Sequence, residues 1–222
     1  MLSRNAKGLF YVITGPLMQA NGFLYRHLRA HRQGTLRVHL GPGQENYIDG
    51  WINIDANMFT AKCDVWADLR NALPFRDATV DAVYSHHMIE HLPDLAFHFQ
   101  DVYRCLRPGG TYRVGGPNGD SAIAKFIEND AGWFYDYPDR RKSIGGRFEN
   151  FIFCRQEHLT ILTFSFIEEL MSTAGFRSIR SCLPVKETNY PDIFEECLLT
   201  EHEVNFATPH TLIVEGQKPR PD

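Results

Sequence analysis

From Leu36 onward, short apolar runs alternate with turn signals and with stretches of helical periodicity. That alternation predicts a parallel sheet with helices on its faces. Strands are expected at 36–40, 51–55, 64–67, 81–85 and 111–115. Leu92, Leu95, Ala96, Phe99, Val102, Tyr103 and Leu106 recur at a period near 3.6 and predict a helix after the fourth strand. Pro108-Gly109-Gly110 ends that helix and turns the chain into the fifth strand. A last helix is expected to open on a capping box at Ser165-Phe166-Ile167-Glu168 and to close at Gly175. Two final strands follow, at 177–183 and 210–216.

Residues 1–34 precede this pattern. Leu17, Ala20, Leu24 and Leu28 share a helical spacing, with Pro16 suiting a first turn, and predict a helix running to Gly34. Its apolar face is expected to pack on the sheet. Contact with a membrane surface, helped by Arg26, Arg29 and Arg32, is the competing reading. Arg4 and Lys7 before the apolar run 9–18 outline a secretory signal, but Gly15 and Pro16 interrupt it and no clean cleavage site follows. No run is long enough to span a bilayer. Residues 119–157, rich in aromatic, charged and glycine residues without clear periodicity, read as an inserted cap or long loop between two parts of one domain, 35–118 and 158–218.

Composition narrows the partners. A chain of 222 residues suits a single α/β domain, and a formal charge of −4 gives no attraction to phosphate polymers, so nucleic acid is a poor substrate. Cys63, Cys105, Cys154, Cys182 and Cys197 are odd in number and contain no CxxC pair. A reducing, cytoplasmic setting follows.

The chemistry gathers at strand ends. Gly41-Pro42-Gly43 follows the first strand at the sheet edge where open α/β sheets bind ligands. Asp55 ends the second strand, where a carboxylate can accept both ribose hydroxyls, and Asp68 ends the third, where it can face an adenine amine. One adenosine site accounts for all three. In the run LRVHLGPGQ, GWINIDAN, DVWADLRNALPF, VDAVYSHHMIEHL, LRPGG and VGGPN, residues 36–118 resemble the class I S-adenosylmethionine-dependent methyltransferases. The GWINID segment resembles a branch of bacterial methyltransferases linked to surface glycans and secondary products. The stretch from His158 to HTLIVEGQKP resembles the family's last helix and antiparallel terminal strand pair.

The resemblance implies a Rossmann-like, mostly parallel seven-stranded sheet with an antiparallel terminal strand, and S-adenosylmethionine as cofactor. It carries Gly41 and Gly43 to the methionine end, Asp55 to the ribose, Asp68 and the Leu69 backbone to the adenine, and Ser85 and His86 to the sulfonium side. His39 stands where the family has an acid, and Glu45 replaces its third loop glycine. The gap from Leu40 to Trp51 leaves room for one or two helical turns at most.

His86, His87, Glu90 and His91 sit where the fourth strand meets its helix. His87 or His91 would be the general base for an acceptor hydroxyl, since an imidazole titrates near neutrality. His87, Glu90 and His91, at i, i+3 and i+4, would share a helical face and could hold a divalent ion that acidifies the acceptor hydroxyl, but no fourth ligand is identifiable and no metal is assigned. The acceptor is expected to be a small polar molecule, such as a sugar of a surface polysaccharide or a secondary metabolite. Trp133, Phe134, Tyr135 and Tyr137, with Arg140, Arg141, Lys142 and Arg147, suit a sugar face and a phosphate. Two other functions compete: a cofactor-binding or scaffold protein without turnover, and an NAD-linked oxidoreductase, which would need the fuller GxGxxG that this chain lacks.

Overall fold

The computed structural model describes residues 4–29, 34–57 and 59–221. Seven strands form one sheet in the order β3-β2-β1-β4-β5-β7-β6. They are β1 (Arg37–Leu40), β2 (Ile52–Asp55), β3 (Val65–Trp66), β4 (Val80–His86), β5 (Leu106–Pro117), β6 (Arg177–Cys182) and β7 (Thr211–Gln217). The first five are parallel, and β7 runs antiparallel to both β5 and β6. This is the Rossmann-like sheet expected, with each strand within a few residues of its predicted place. Only β5 starts well early, at Leu106, because the backbone stays paired to Val80 before the glycine turn.

Strand alternation splits the sheet into two chemically different faces. Val38, Leu40, Ile54, Val83, Tyr112 and Val114 point to one side and are buried under α2 (Leu95–Cys105) and α5 (Phe164–Ala174). Asp94 caps α2 by accepting from the Phe97 amide. The cap of α5 is Thr163, which accepts from the Phe166 amide, so the expected capping box at Ser165 is not used and the helix opens earlier.

Among the described residues, the opposite face lacks helices between the early strands. The β1–β2 connection is all turn among its described residues, without even the short helix allowed for it. Asn53 holds it instead: its buried amide bonds the Ile48 amide and carbonyl, the Trp51 carbonyl and His39 Nδ1. The covering is supplied by residues 183–210, which bring Phe194 and Cys197 onto Trp51, Ala82 and Tyr84. Fully buried Arg113 on β5 pins this segment by pairing with Glu201 and Glu215 and by donating to the Glu187 carbonyl. With such a pair out of water, the remaining lone pairs must be satisfied, and Thr188 and Asn189 do so at Glu215.

At the chain start, α1 (Arg4–Leu24) carries Pro16 inside it rather than at its first turn, and continues into a π-turn, Tyr25–Arg29. The expected packing face is reversed. Leu17, Ala20, Leu24 and Leu28 are exposed, while Gly15 and Met18 are buried and Gly22 lies against Pro74. Small residues allow the closer approach on that side, and Asn21 and Arg26 lock it by donating to the carbonyls of Trp66 and Leu73. Arg32 and the side chain of Arg29 lie outside the described residues.

The segment 119–157 is no long loop. It contains α3 (Gly119–Ile127) and α4 (Ile144–Phe153), which share a small core of Ala122, Trp133, Phe134 and Ile152. Its amphipathic periods escape a sequence reading because each helix is short and the aromatics between them also serve the core.

Candidate functional site at the carboxyl ends of the strands

The register puts Leu40 beside Ile54 and beside Ser85, so the ends of β1, β2 and β4 lie side by side. The two glycines after β1 have different duties. Gly41 has φ of +74°, and a Cβ there would fall 2.6 Å from Met88 Cγ, so it lets the turn leaving β4 press against the turn leaving β1. Gly43, at φ +58°, faces open space, the side from which a ligand backbone contact would come.

Asp55 is half-buried, and its two oxygens accept from the amides of Gly43 (3.1 Å) and Asn57 (2.8 Å). Burial pushes its carboxyl up, and these amides oppose that. Each oxygen keeps a lone pair for a further donor. Asp68 is buried and already holds Arg70 through both oxygens, at 2.7–3.2 Å. The Arg70 guanidinium lies 3.5 Å over the ring of Tyr11 from α1. Sequence reasoning missed both Tyr11 and Arg70, since neither belongs to a strand-end motif. Leu69 is buried beside them.

Alternation separates the next two residues. Ser85 points its side chain to the helix-covered face, where its hydroxyl bonds Tyr112, so it is the backbone of Ser85 that stands at the edge. His86 points to the other face, stacked near Tyr84, with Nε2 buried and without a partner. Burial holds its pKa well below the ordinary histidine value. His39, on the same face, is lowered to about 4 by burial.

His87 has φ of +51°, a strained conformation for a side-chain-bearing residue, fixed by its amide bonding the Gly115 carbonyl. It therefore stands before the short 3-10 turn Ile89–His91 and not on a helix with Glu90 and His91. The cluster forms all the same. His87 Nδ1 lies 3.3 Å from Glu90 Oε1 and its Nε2 lies 3.2 Å from the Thr211 hydroxyl. Glu90 is buried, and His158 returns from the far side of the insertion to place Nε2 3.9 Å from Glu90 Oε1. Burial alone would raise the Glu90 carboxyl, but His87, His91 and His158 outweigh it and hold it below the usual range.

The aromatic and basic residues of the insertion divide. Trp133 and Phe134 are buried in its core, and Trp133 and Tyr135 sandwich His210 at 4.1 and 4.2 Å. Tyr135 and Tyr137 are exposed. Arg140 and Arg147 pair with Asp136, and Arg141 and Arg155 with Asp139, so these guanidiniums are engaged locally.

A glycine turn with an open side, an amide-braced carboxylate at the neighbouring strand end and a histidine-rich turn pressed against the first of these fit an S-adenosyl group. Residues 52–114 match the family described as "Methyltransferase domain". That stretch is similar to a methyltransferase domain, and S-adenosylmethionine is the cofactor that the likeness supports. A probable S-adenosylmethionine-dependent methyltransferase of Mycolicibacterium smegmatis is 48% identical over 46 residues, 21% of this chain. The match spans only 18% of that relative's length. Among solved structures, an S-adenosylmethionine-dependent methyltransferase of Thermotoga maritima aligns over 96% of this chain and 95% of its own, with a TM-score of 0.53 and 16% identity. Phosphoethanolamine N-methyltransferase 2 of Haemonchus contortus, in complex with S-adenosyl-L-methionine, aligns over 91% of this chain and 52% of its own, with a TM-score of 0.51 and 17% identity. At such identities the likeness is one of fold, and the fold is the Rossmann-like methyltransferase fold. No helix among the described residues is long and apolar enough to cross a membrane.

Proposed function

We propose that the protein is an S-adenosylmethionine-dependent methyltransferase that O-methylates a small polar acceptor, a sugar of a surface polysaccharide or a secondary metabolite. The observation that carries this reading is the close approach of Met88 to Gly41, which sets the turn that carries His87 and Glu90 beside the turn assigned to the methionine end of the cofactor. The bound cofactor supplies a methyl group already activated on a sulfonium. What remains for the protein is to orient an acceptor hydroxyl and take its proton.

His87 suits that task. Its Nδ1 faces the Glu90 carboxylate at 3.3 Å, which orients the ring. Its Nε2 is held by the Thr211 hydroxyl, and the ring is partly open to solvent, where an acceptor can reach it. Asp55 would take the ribose hydroxyls. Asp68 would meet the adenine once Arg70 shares or releases it, with the Leu69 backbone alongside. His86, with its partnerless buried Nε2, would line the sulfonium side, and His91 would support the histidine cluster. The unit 119–157 would cap the acceptor, with Tyr135 and Tyr137 as its exposed aromatic faces.

The test is incubation with isotopically labelled cofactor and a panel of sugar nucleotides and small phenols, with products read by mass spectrometry. Labelled methyl is expected on an acceptor oxygen, and His87→Ala is expected to cut turnover by about 10² to 10⁴ with cofactor affinity kept. Binding of cofactor without transfer to any acceptor would favour the scaffold reading instead.

A further inference from the structure

Glu90 is an anomaly. Its side chain is 1% exposed, and neither carboxylate oxygen has a hydrogen-bond partner. A buried carboxylate left in this way is costly unless positive charge stands beside it. His87 Nδ1 stands 3.3 Å from Oε1, but the other two neighbouring histidines, His91 and His158, are set up in a manner that withholds their protons from it. His91 Nδ1 lies 2.9 Å from the Glu157 carbonyl, and His158 Nδ1 lies 2.9 Å from the Ile152 carbonyl. A carbonyl oxygen only accepts, so each Nδ1 carries the proton and each neutral ring presents a bare lone pair on Nε2. Ligand atoms of Glu90, His91 and His158 lie within 4.8 Å of one another.

We infer that Glu90, His91 and His158 form a binding site for one divalent transition-metal ion of the zinc or manganese class, with an open coordination position. Two imidazole nitrogens and one carboxylate favour such an ion over magnesium or calcium, which take all-oxygen shells. Three protein ligands with a vacant fourth position make the pattern of catalytic rather than structural metal sites. Ligand bonds of about 2.0–2.2 Å require the three groups to close by roughly 1 Å, a small rotation of side chains. The two carbonyls bonded to Nδ1 act as the outer partners that fix ring tautomer and orientation. His87 stays outside the set, with its Nε2 on the Thr211 hydroxyl.

The segment that delivers His158 is itself unusual. Cys154, Arg155 and Gln156 have φ of 43°, 57° and 65°, three successive left-handed residues without a glycine. Strain of this kind persists where the surrounding structure demands one placement of the residues that follow. Neither His158 nor the Glu157 carbonyl could be paired with Glu90 and His91 from sequence, because the whole helical insertion lies between them.

The catalytic meaning of the site rests on the methyl-transfer reading, since an ion beside the glycine turn would acidify an acceptor hydroxyl. Its existence does not, and the two are measured apart. The full chain, stripped with chelator and desalted, is titrated with Zn²⁺, Mn²⁺ and Mg²⁺ in separate calorimetric runs, with metal content checked by mass spectrometry. One equivalent of Zn²⁺ or Mn²⁺ is expected, bound at least about 100-fold tighter than Mg²⁺. Glu90→Gln and His158→Ala are each expected to weaken binding about 100-fold, with His87→Ala changing it less than about 10-fold. Should Glu90→Gln fail to fold, His91→Gln and His158→Gln, on less buried rings, carry the same expectation. Absence of stoichiometric binding by the parent, or parent-like binding by the folded ligand variants, overturns the inference. S-adenosylhomocysteine binding, measured on the same metal-free protein, reports separately on the methyltransferase reading.

Discussion

Single residues at the strand ends divide into those that hold the edge together and those that stay available. Gly41 belongs to the first kind, because both its φ and the space taken by Met88 exclude a side chain. Gly41→Ala is therefore expected to lower stability by about 2–4 kcal/mol, overpacking added to left-handed strain. Gly43→Ala, with open space on its Cβ side, is expected to cost only about 1 kcal/mol. Urea melts of the two variants check this, and equal losses would show that the contact of Met88 with Gly41 does not order the site. Gly41, Gly43, Asp55 and the histidine turn were legible in sequence because each follows directly on a strand that its own residues predict. His158, Arg70 and Tyr11 were not. His158 and Tyr11 reach the edge by tertiary packing across long stretches of chain, for which no local pattern gives a signal, and Arg70 folds back onto Asp68 two residues away, a pairing that strand periodicity does not mark.

Elements were legible where their periodicity answers to one neighbour. The strands and α2 read well, since one face of each meets the core. Ambiguity arose for α1, which presents small residues to the domain and large ones outward. Leu9, Ile13, Leu17, Leu24 and Leu28 are each more than half exposed along one side of α1 and the π-turn that follows it. This row supports the reading of α1 as a membrane-surface contact, because burying such a face in a lipid interface recovers apolar area that the domain leaves in water. Co-sedimentation with anionic phospholipid vesicles is expected for the parent chain, and Leu17→Asp with Leu24→Asp is expected to reduce it several-fold. No sedimentation of the parent, or equal sedimentation of the double variant, would remove the membrane contact from the account. The segment 183–210 was opaque for a different reason: it replaces the missing early helices through buried ion pairs of Arg113, which carry no periodic signature.

For the whole molecule, the sheet and α2 carry a set of neutral buried histidines that couples stability to pH. Burial lowers His39 and His98 to about 4, and holds His86 well below the ordinary value of 6.5. As pH falls below 6.5 the unfolded chain binds these protons first, so stability is full above that value and declines toward pH 4. Carboxylates with lowered values, such as Glu215, contribute only at still lower pH. A loss of about 2 kcal/mol per histidine by pH 5 is expected, read as a falling Tm, whereas a flat Tm between pH 7 and 5 would mean these rings are hydrated or charged in the fold. The same sheet organises the central claim, that the carboxyl ends of β1 and β2 hold an S-adenosyl group through Asp55. Calorimetric titration with S-adenosylhomocysteine tests it most directly. The account predicts one site per chain, weakened by about 1.5–3 kcal/mol in Asp55→Ala, the scale of a charge-assisted hydrogen bond. No binding to the parent, or unchanged affinity in a folded Asp55→Ala protein, would contradict it.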